Sequence, residues 1–200
     1  MATGPSSPTQ AAIRELFGAS LHTKTVFLAE NLGLLERTVD LVADALDAGR
    51  KVLLFGNGGS AADAQHIAAE FVGRFMRERR PLAAIALTTD TSALTAIAND
   101  YGYDDVFARQ VRALGVAGDV AVAISTSGRS PSVLRAVEVC RELGIETIGL
   151  TGGDGGTLAG LVDLCLRVSA STHAARIQET HILIGHVLCE LVDRRLFGES

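Results

Sequence analysis

Histidines and carboxylates stand at helical spacing in two separate stretches of this chain. In GSAADAQHIAAEF, residues 59–71, His66 and Glu70 are spaced i, i+4, so on a helix they point the same way. In ARIQETHILIGHVLCEL, residues 175–191, the polar groups Gln178, Glu179, His181, His186 and Glu190 are embedded among Ile177, Ile182, Leu183, Ile184, Val187, Leu188 and Leu191. A helix apolar on almost every side is expected to be buried, and polar groups within it need partners. Gln178, Glu179 and His186 fall on one flank of that helix. Imidazole, carboxylate and amide together make an N/O donor set suited to a divalent metal such as zinc. The same residues would serve as a carboxylate–imidazole acid/base pair. At this level both readings stay open. His22, His173 and His181 read as structural or surface histidines.

Two loops could complete such a site. Ser125-Thr126-Ser127-Gly128-Arg129-Ser130 places four hydroxyls around one glycine, directly before a helix that Pro131 begins. Ser130 suits the N-cap and Pro131 the first helical position. A helix N-terminus offers free N–H groups and the positive end of a dipole, which hold phosphate without lysine. An ordinary capped Ser/Thr turn is the plainer alternative. Gly56-Asn57-Gly58-Gly59 also precedes a helix, with Ser60 expected as N-cap and Asp63 completing an approximate capping box. It has no Gly-Lys-Ser/Thr, and Ala61 stands where a dinucleotide fingerprint needs its third glycine, so a nucleotide site is disfavoured. What remains is close backbone approach to a small polar ligand, with the Asn57 amide free for hydroxyls.

The elements that position these groups alternate. Apolar runs at Val52–Phe55, 82–87, 119–124, 146–150 and 164–168 read as buried strands. Between them lie amphipathic helices from Ser60, over 89–98, over 106–114 and over 131–143, and a long helix over about 176–196 closes the chain. Asn99 to Tyr103 reads as a polar turn, and Arg74 to Arg80 as a solvated helix end. Strands alternating with helices imply parallel pairing through right-handed crossovers. The expected fold is therefore α/β: a three-layer αβα, doubly wound sheet of about five parallel strands, flavodoxin-like. Ligands of such sheets bind beyond the carboxyl ends of the strands, where the glycine and serine loops and a third turn, Gly152-Gly153-Asp154-Gly155-Gly156, all fall. Ahead of the first strand, residues 10–49 carry apolar spacing of helical period and end at Gly49, forming an N-terminal helical arm that packs either on its own domain or on a second subunit. Residues 1–9, with two of the four prolines, read as a flexible tail, leaving 50–200 as the main domain.

Composition narrows the function. With 48% hydrophobic and 20% charged residues the chain is globular. A net charge of −5, no tryptophan and two tyrosines argue against a nucleic-acid surface. Cys140, Cys165 and Cys189 form no Cys-x-x-Cys pair and read as buried free thiols. No apolar run reaches a membrane span, and no basic segment followed by an apolar core opens the chain, so the expected compartment is the cytoplasm.

Four motifs together carry a family likeness: GNGGSAADAQHIAAEF at 56–71, LTAIANDYGYDDVFARQV at 94–111, ISTSGRSPSVL at 124–134 and RIQETHILIGH at 176–186. From about Leu41 to Phe197 the chain resembles the phosphoheptose isomerases of the sugar isomerase (SIS) domain group. The resemblance implies conversion of sedoheptulose 7-phosphate to D-glycero-D-manno-heptose 7-phosphate, the first step of nucleotide-activated heptose synthesis. It implies a homotetramer with sites at subunit boundaries and one zinc ion per subunit. Carried over by motif, Asn57, Gly58, Gly59, Asn99, Asp100, Glu70 and Gln178 contact substrate, and Ser125, Thr126, Ser127 and Ser130 cradle its phosphate. His66, Glu70, Gln178 and His186 correspond to metal ligands, with Glu70 and His186 also the catalytic pair. Two alternatives share the scaffold: an isomerase of another phosphosugar, and a non-catalytic SIS protein that binds the replication initiator. The presence of both Glu70 and His186 weighs against the latter.

Overall fold

In the computed structural model, which describes residues 7–198, five parallel strands form one sheet in the order β2-β1-β3-β4-β5. The strands are β1 (Val52–Gly56), β2 (Ala84–Ala86), β3 (Val120–Ser125), β4 (Glu146–Gly152) and β5 (Leu164–Val168). Period-2 alternation divides their side chains between two cores. Val52, Leu54, Val120, Val122 and Ile124 point to one face, and Leu53, Phe55, Ala121 and Ala123 to the other. The first core is closed by α1 (Pro8–Asp47), α2 (Gly59–Val72) and α6 (Ala174–Phe197). The second is closed by α3 (Thr91–Tyr101), α4 (Val106–Leu114) and α5 (Pro131–Glu142). The strand order reverses between β1 and β3, so the loops that follow these two strands flank the topological switch point. Those are the glycine turn and the serine loop.

The three-layer, doubly wound architecture is the expected one, and several boundaries move for identifiable reasons. The tail expected over residues 1–9 gives way at Pro8: Ser7 caps α1, its hydroxyl accepting from Gln10 N–H while the Gln10 side chain accepts from Ser7 N–H. Residues 1–6 lie outside the described residues. The strand expected at 82–87 pairs only over Ala84–Ala86 at the sheet edge, although Leu82 and Leu87 remain buried. The helix expected at 89–98 starts later, where Asp90 caps Ala93 N–H, and runs on through Asn99, Asp100 and Tyr101 until Gly102 at φ +91° ends it. The polar turn expected there is thus largely helical. Gly58, not Ser60, occupies the N-cap of α2, and Ser60 is buried within its first turn. Cys140 and Cys189 are buried as expected, but Cys165 is only half-buried.

α1 is a single 40-residue helix, about 60 Å long at 1.5 Å per residue. Its second half packs against α6 and β5, burying Phe27, Leu35, Val39, Val42 and Leu46. Along its first half Ile13, Leu16, Phe17 and Leu21 are exposed, joined farther on by Leu28 and Leu32. The closing helix is less completely covered than its composition suggests, because Leu183 faces outward beside that stripe.

α6 is fastened to the sheet by His181, fully buried, whose Nε2 lies 3.2 Å from the Thr151 carbonyl at the end of β4. Among the described residues its Nδ1 has no partner. Burial pulls this imidazole from 6.5 down to about 4, with the Thr151 contact opposing. The unfolded chain therefore takes up a proton that the folded one refuses. Stability is complete above about pH 6.5 and declines as the pH falls toward 4, by about 3 kcal/mol in all. Urea unfolding between about pH 7 and pH 4 measures this loss; His181→Gln, which keeps a donor for Thr151, is expected to remove most of it.

Candidate functional site

The two halves of the site lie on different parts of α2. At its start, β1 delivers the chain into Gly56-Asn57-Gly58-Gly59 beyond the carboxyl edge of the sheet. Asn57 is fixed from two directions: its Oδ1 accepts from the Tyr103 hydroxyl at 2.8 Å, and its Nδ2 donates to Ser132 Oγ at 3.0 Å. One amide N–H and one lone pair remain for a ligand. Neither Tyr103 nor Ser132 was marked by the sequence; the only available signal was a tyrosine and a serine each next to an otherwise polar loop. Asn99 and Asp100, hydrogen-bonded to each other at 2.8 Å, are exposed on the last turn of α3, which leads directly to Tyr103.

The serine loop follows β3. Ser125 is buried, Thr126 and Ser130 half-buried, and Ser127 exposed. Ser130 does occupy the N-cap of α5, but its hydroxyl lies 3.2 Å from Ser125 Oγ instead of capping a backbone N–H. The first N–H groups of α5 therefore keep no side-chain cap. Behind the loop stands the third turn. Gly128, at φ +63°, is in contact with residue 155 so closely that a Cβ would lie 1.9 Å from the Gly155 carbonyl oxygen. Gly152 N–H donates to Thr126 O and Leu158 N–H to Gly128 O, at 3.1 and 3.0 Å. Outside, Arg129 donates to Ser127 O at 3.0 Å and to Asp154 at 2.5 Å, and that bond holds the Asp154 carboxyl below its usual range.

The second half lies farther down the flank of the sheet. α2 and α6 run the same way and touch closely, because Gly59 and Gly185 omit side chains at the contact. A Cβ on Gly59 would meet Gln178 Nε2 at 2.4 Å, and one on Gly185 would meet Ile67 at 2.6 Å. That register brings His66, Glu70 and His186 together. His66 Nε2 lies 3.0 Å from His186 Nε2 and 3.3 Å from Glu70 Oε1, and the three ligand atoms all fall within 4.8 Å of one another. Phe75 stacks on the His186 ring at 5.7 Å. The cluster is open, with the His66 side chain 48% and the Glu70 side chain 26% exposed.

Not every residue expected here arrives. Gln178 sits over Gly59 at the glycine turn, eight residues before His186, or about 12 Å of helix rise away. Glu179 points elsewhere, receiving hydrogen bonds from Ser20 at 2.7 Å and Arg176 at 2.6 Å where α1 crosses α6. The basic run Arg74–Arg80 is not a solvated helix end. α2 stops at Val72, and the chain folds back with the Arg79 side chain only 1% exposed, paired with Asp193 at 2.9 Å. Asp63, one turn before His66, is half-buried, and its Oδ2 is unpartnered among the described residues; burial raises its carboxyl, partly offset by His66.

The donor set fits a metal ion. A tetrahedral zinc with bonds of about 2.0–2.1 Å holds its ligand atoms about 3.3 Å apart, close to the 3.0 and 3.3 Å seen between His66 and its two neighbours.

Known proteins resemble this chain over most of its length. The sequence signature described as "SIS domain" matches residues 17–152. A curated phosphoheptose isomerase from a Roseiflexus species is 56% identical over 181 residues, covering 90% of this chain and 91% of that protein. One from Geotalea daltonii is 60% identical over 161 residues, 80% of this chain and 83% of that protein. Among solved structures, the phosphoheptose isomerase of Neisseria gonorrhoeae superposes with a TM-score of 0.87 at 47% identity, covering 92% of this chain and 98% of that one. That of Francisella tularensis superposes with a TM-score of 0.89 at 39% identity, covering 94% and 100%.

The loop packing yields a test of the site's frame. Gly128→Ala forces a positive φ and a clash with a backbone carbonyl, so it is expected to cost at least about 2 kcal/mol in urea unfolding. Arg129→Ala, which removes only the exposed pair with Asp154, is expected to leave the midpoint nearly unchanged.

Proposed function

We propose, because the chain belongs to the phosphoheptose isomerases of the SIS domain family, that it converts sedoheptulose 7-phosphate to D-glycero-D-manno-heptose 7-phosphate, the first step of nucleotide-activated heptose synthesis. It is an aldose–ketose isomerase of phosphosugars. The observation that carries the chemistry is the convergence of Glu70, His66 and His186 from two helices, with their ligand atoms all within 4.8 Å of one another.

Ketose-to-aldose conversion moves a proton between adjacent carbons through an enediol(ate) and another between the two oxygens. It needs a base beside the carbon and a proton carrier beside the oxygens. Glu70, when not engaged by a metal, takes the carbon-bound proton and returns it to the neighbouring carbon; His186 moves the proton between the oxygens. Ser125, Thr126, Ser127 and Ser130, with the uncapped N–H groups of α5, hold the phosphate. Asn57, Gly58, Gly59, Asn99, Asp100 and Gln178 orient the sugar hydroxyls, and Tyr103 and Ser132 keep Asn57 aimed.

His66, Glu70 and His186 would hold a divalent ion, zinc by their chemistry, and the ion when bound supplies Lewis-acid polarisation of the sugar oxygens. The resemblance adds Gln178 as fourth ligand, but its place at the glycine turn suits the substrate on this chain. Three ligands with an open fourth position are the pattern of a catalytic zinc rather than a closed structural one.

The working form is a homo-oligomer, a tetramer by family, within the cytoplasm. What supports association is the exposed stripe of Ile13, Leu16, Phe17 and Leu21 and the groove of about 720 Å³ whose lining combines Leu28, Leu32, Leu35, Val187 and Leu191 with the charged Glu36, Asp40, Arg194 and Arg195.

Glu70→Gln and His186→Gln are each expected to lower kcat about 100-fold or more while circular dichroism and subunit assembly stay as in the parent, with product followed by NMR. Full turnover in either would remove that residue from the mechanism. Phe17→Asp with Leu21→Asp is expected to yield smaller species in light scattering; an unchanged mass would place the subunit contact elsewhere.

A further inference from the structure

Between α2 and β2 the chain makes a strap, residues 73–80, that returns across the ends of α2 and α6. Phe75 lies on the His186 ring, and Arg77 donates to the Phe197 carbonyl at 3.1 Å and to that of Gly198. Its anchor is Arg79, whose guanidinium is buried between the two helices. Nε donates to Asp193 on α6 at 2.9 Å, Nη2 to the Glu70 carbonyl at 2.9 Å, and Nη1 to the carbonyls of Phe71, Gly73 and Arg80 at 2.9, 3.0 and 3.1 Å. Asp193 follows His186 by seven residues, two turns on the same face of α6. One side chain thus grips the backbone of Glu70 and, two turns beyond it, the helix that carries His186.

A helix leaves its last carbonyls without intrahelical donors. In α2 the Ala69 carbonyl receives Gly73 N–H, that of Phe71 receives both Leu82 N–H and Arg79, and that of Glu70 receives Arg79. Among the described residues the Glu70 carboxylate makes a single ion pair, with His66 at 3.3 Å, and no side-chain or backbone donor other than that imidazole fixes it. Its position therefore depends on the backbone that bears it. A buried ion pair adds little net stability over an apolar pair of the same volume, so what the Arg79–Asp193 pair supplies is geometry. The planar fork of arginine can address a carboxylate and several carbonyls at once, which a lysine ammonium cannot.

We propose that Arg79, oriented by Asp193, is a positioning residue of the isomerase: it sets the last turn of α2 so that Glu70 meets His186. This role rests on the isomerase reading above. Substrate anchoring by the serine loop and glycine turn lies at the other end of α2 and is independent of it.

The test compares the full-length protein with Arg79→Met/Asp193→Asn, which removes both buried charges together, and with Arg79→Lys. In the double variant kcat is expected to fall about 10- to 100-fold with KM almost unchanged. Zinc affinity, read by competition with a chromophoric chelator, is expected to weaken about 10-fold or more. Arg79→Lys, which keeps the charge opposite Asp193 but not the fork, is expected to recover part of both losses and serves as the folded comparison if the double variant does not fold. Parental kcat and zinc affinity in a variant whose melting temperature has dropped would reduce Arg79 to a structural residue and overturn the proposal. If the parent protein turns over no ketose phosphate, the isomerase reading fails on its own. The zinc titration then decides for Arg79, with equal affinities in parent and variants overturning its role.

Discussion

The close, same-direction contact of α2 with α6 is the constraint on which the remaining chemistry depends. Two helices on one face of a parallel sheet ordinarily keep side chains between them, and axes of about 8–10 Å separation follow. Here Gly59 and Gly185 remove the spacers at two levels. The contact pairs Gly59 with Gln178, Ile67 with Gly185 and His66 with His186 keep one register throughout. A rotation or slip of α6 by one residue would carry His186 about 100° around its axis, away from α2. Register is held at both ends, by His181 on the Thr151 carbonyl and by Asp193 on Arg79.

The sheet contributes in a different way. Because strand order reverses between β1 and β3, two loops open next to each other instead of on opposite sides of a helix. Asn57 and Ser132 make that adjacency a bond, since the first belongs to the loop after β1 and the second to the first turn of α5. The site is thus a composite of an edge, set by topology, and a flank, set by helix packing.

Much of this was legible in the chain because the signals were strong and local. β5 and α4 were readable to the residue, and β3 and α5 nearly so, since apolar runs, helical periodicity and Pro131 mark them sharply. The pairing of His66 and Glu70 followed from spacing alone. What escaped was whatever depends on a partner distant in sequence. Arg79 looks like one member of a basic run until Asp193, more than a hundred residues later, is brought beside it. Glu179 shares a flank with Gln178 in a helical wheel, yet Ser20 and Arg176 draw it away. Asn99 and Asp100 read as a turn by residue type, but capping by Asp90 and a stop at Gly102 outweigh those local preferences. Ser60 is the instructive case of a good cap residue two positions too late: the Gly58 backbone makes the turn, and Ser60 is buried inside the helix.

The meeting of Gly128 with Gly155 and Gly156 has an evolutionary consequence. The contact is main chain against main chain, with carbonyl oxygens where side chains would stand. At Gly128 and Gly156 it has no volume to trade, so no neighbouring side chain can shrink to compensate a substitution there, whereas a Cβ on Gly155 would meet the Ala159 side chain. Gly128 and Gly156 must therefore be inherited together. Arg129 and Asp154, on the rim of the same two turns and open to solvent, are bound by no such rule. Divergence of this site is therefore channelled outward, to the ring of side chains around a backbone that cannot drift.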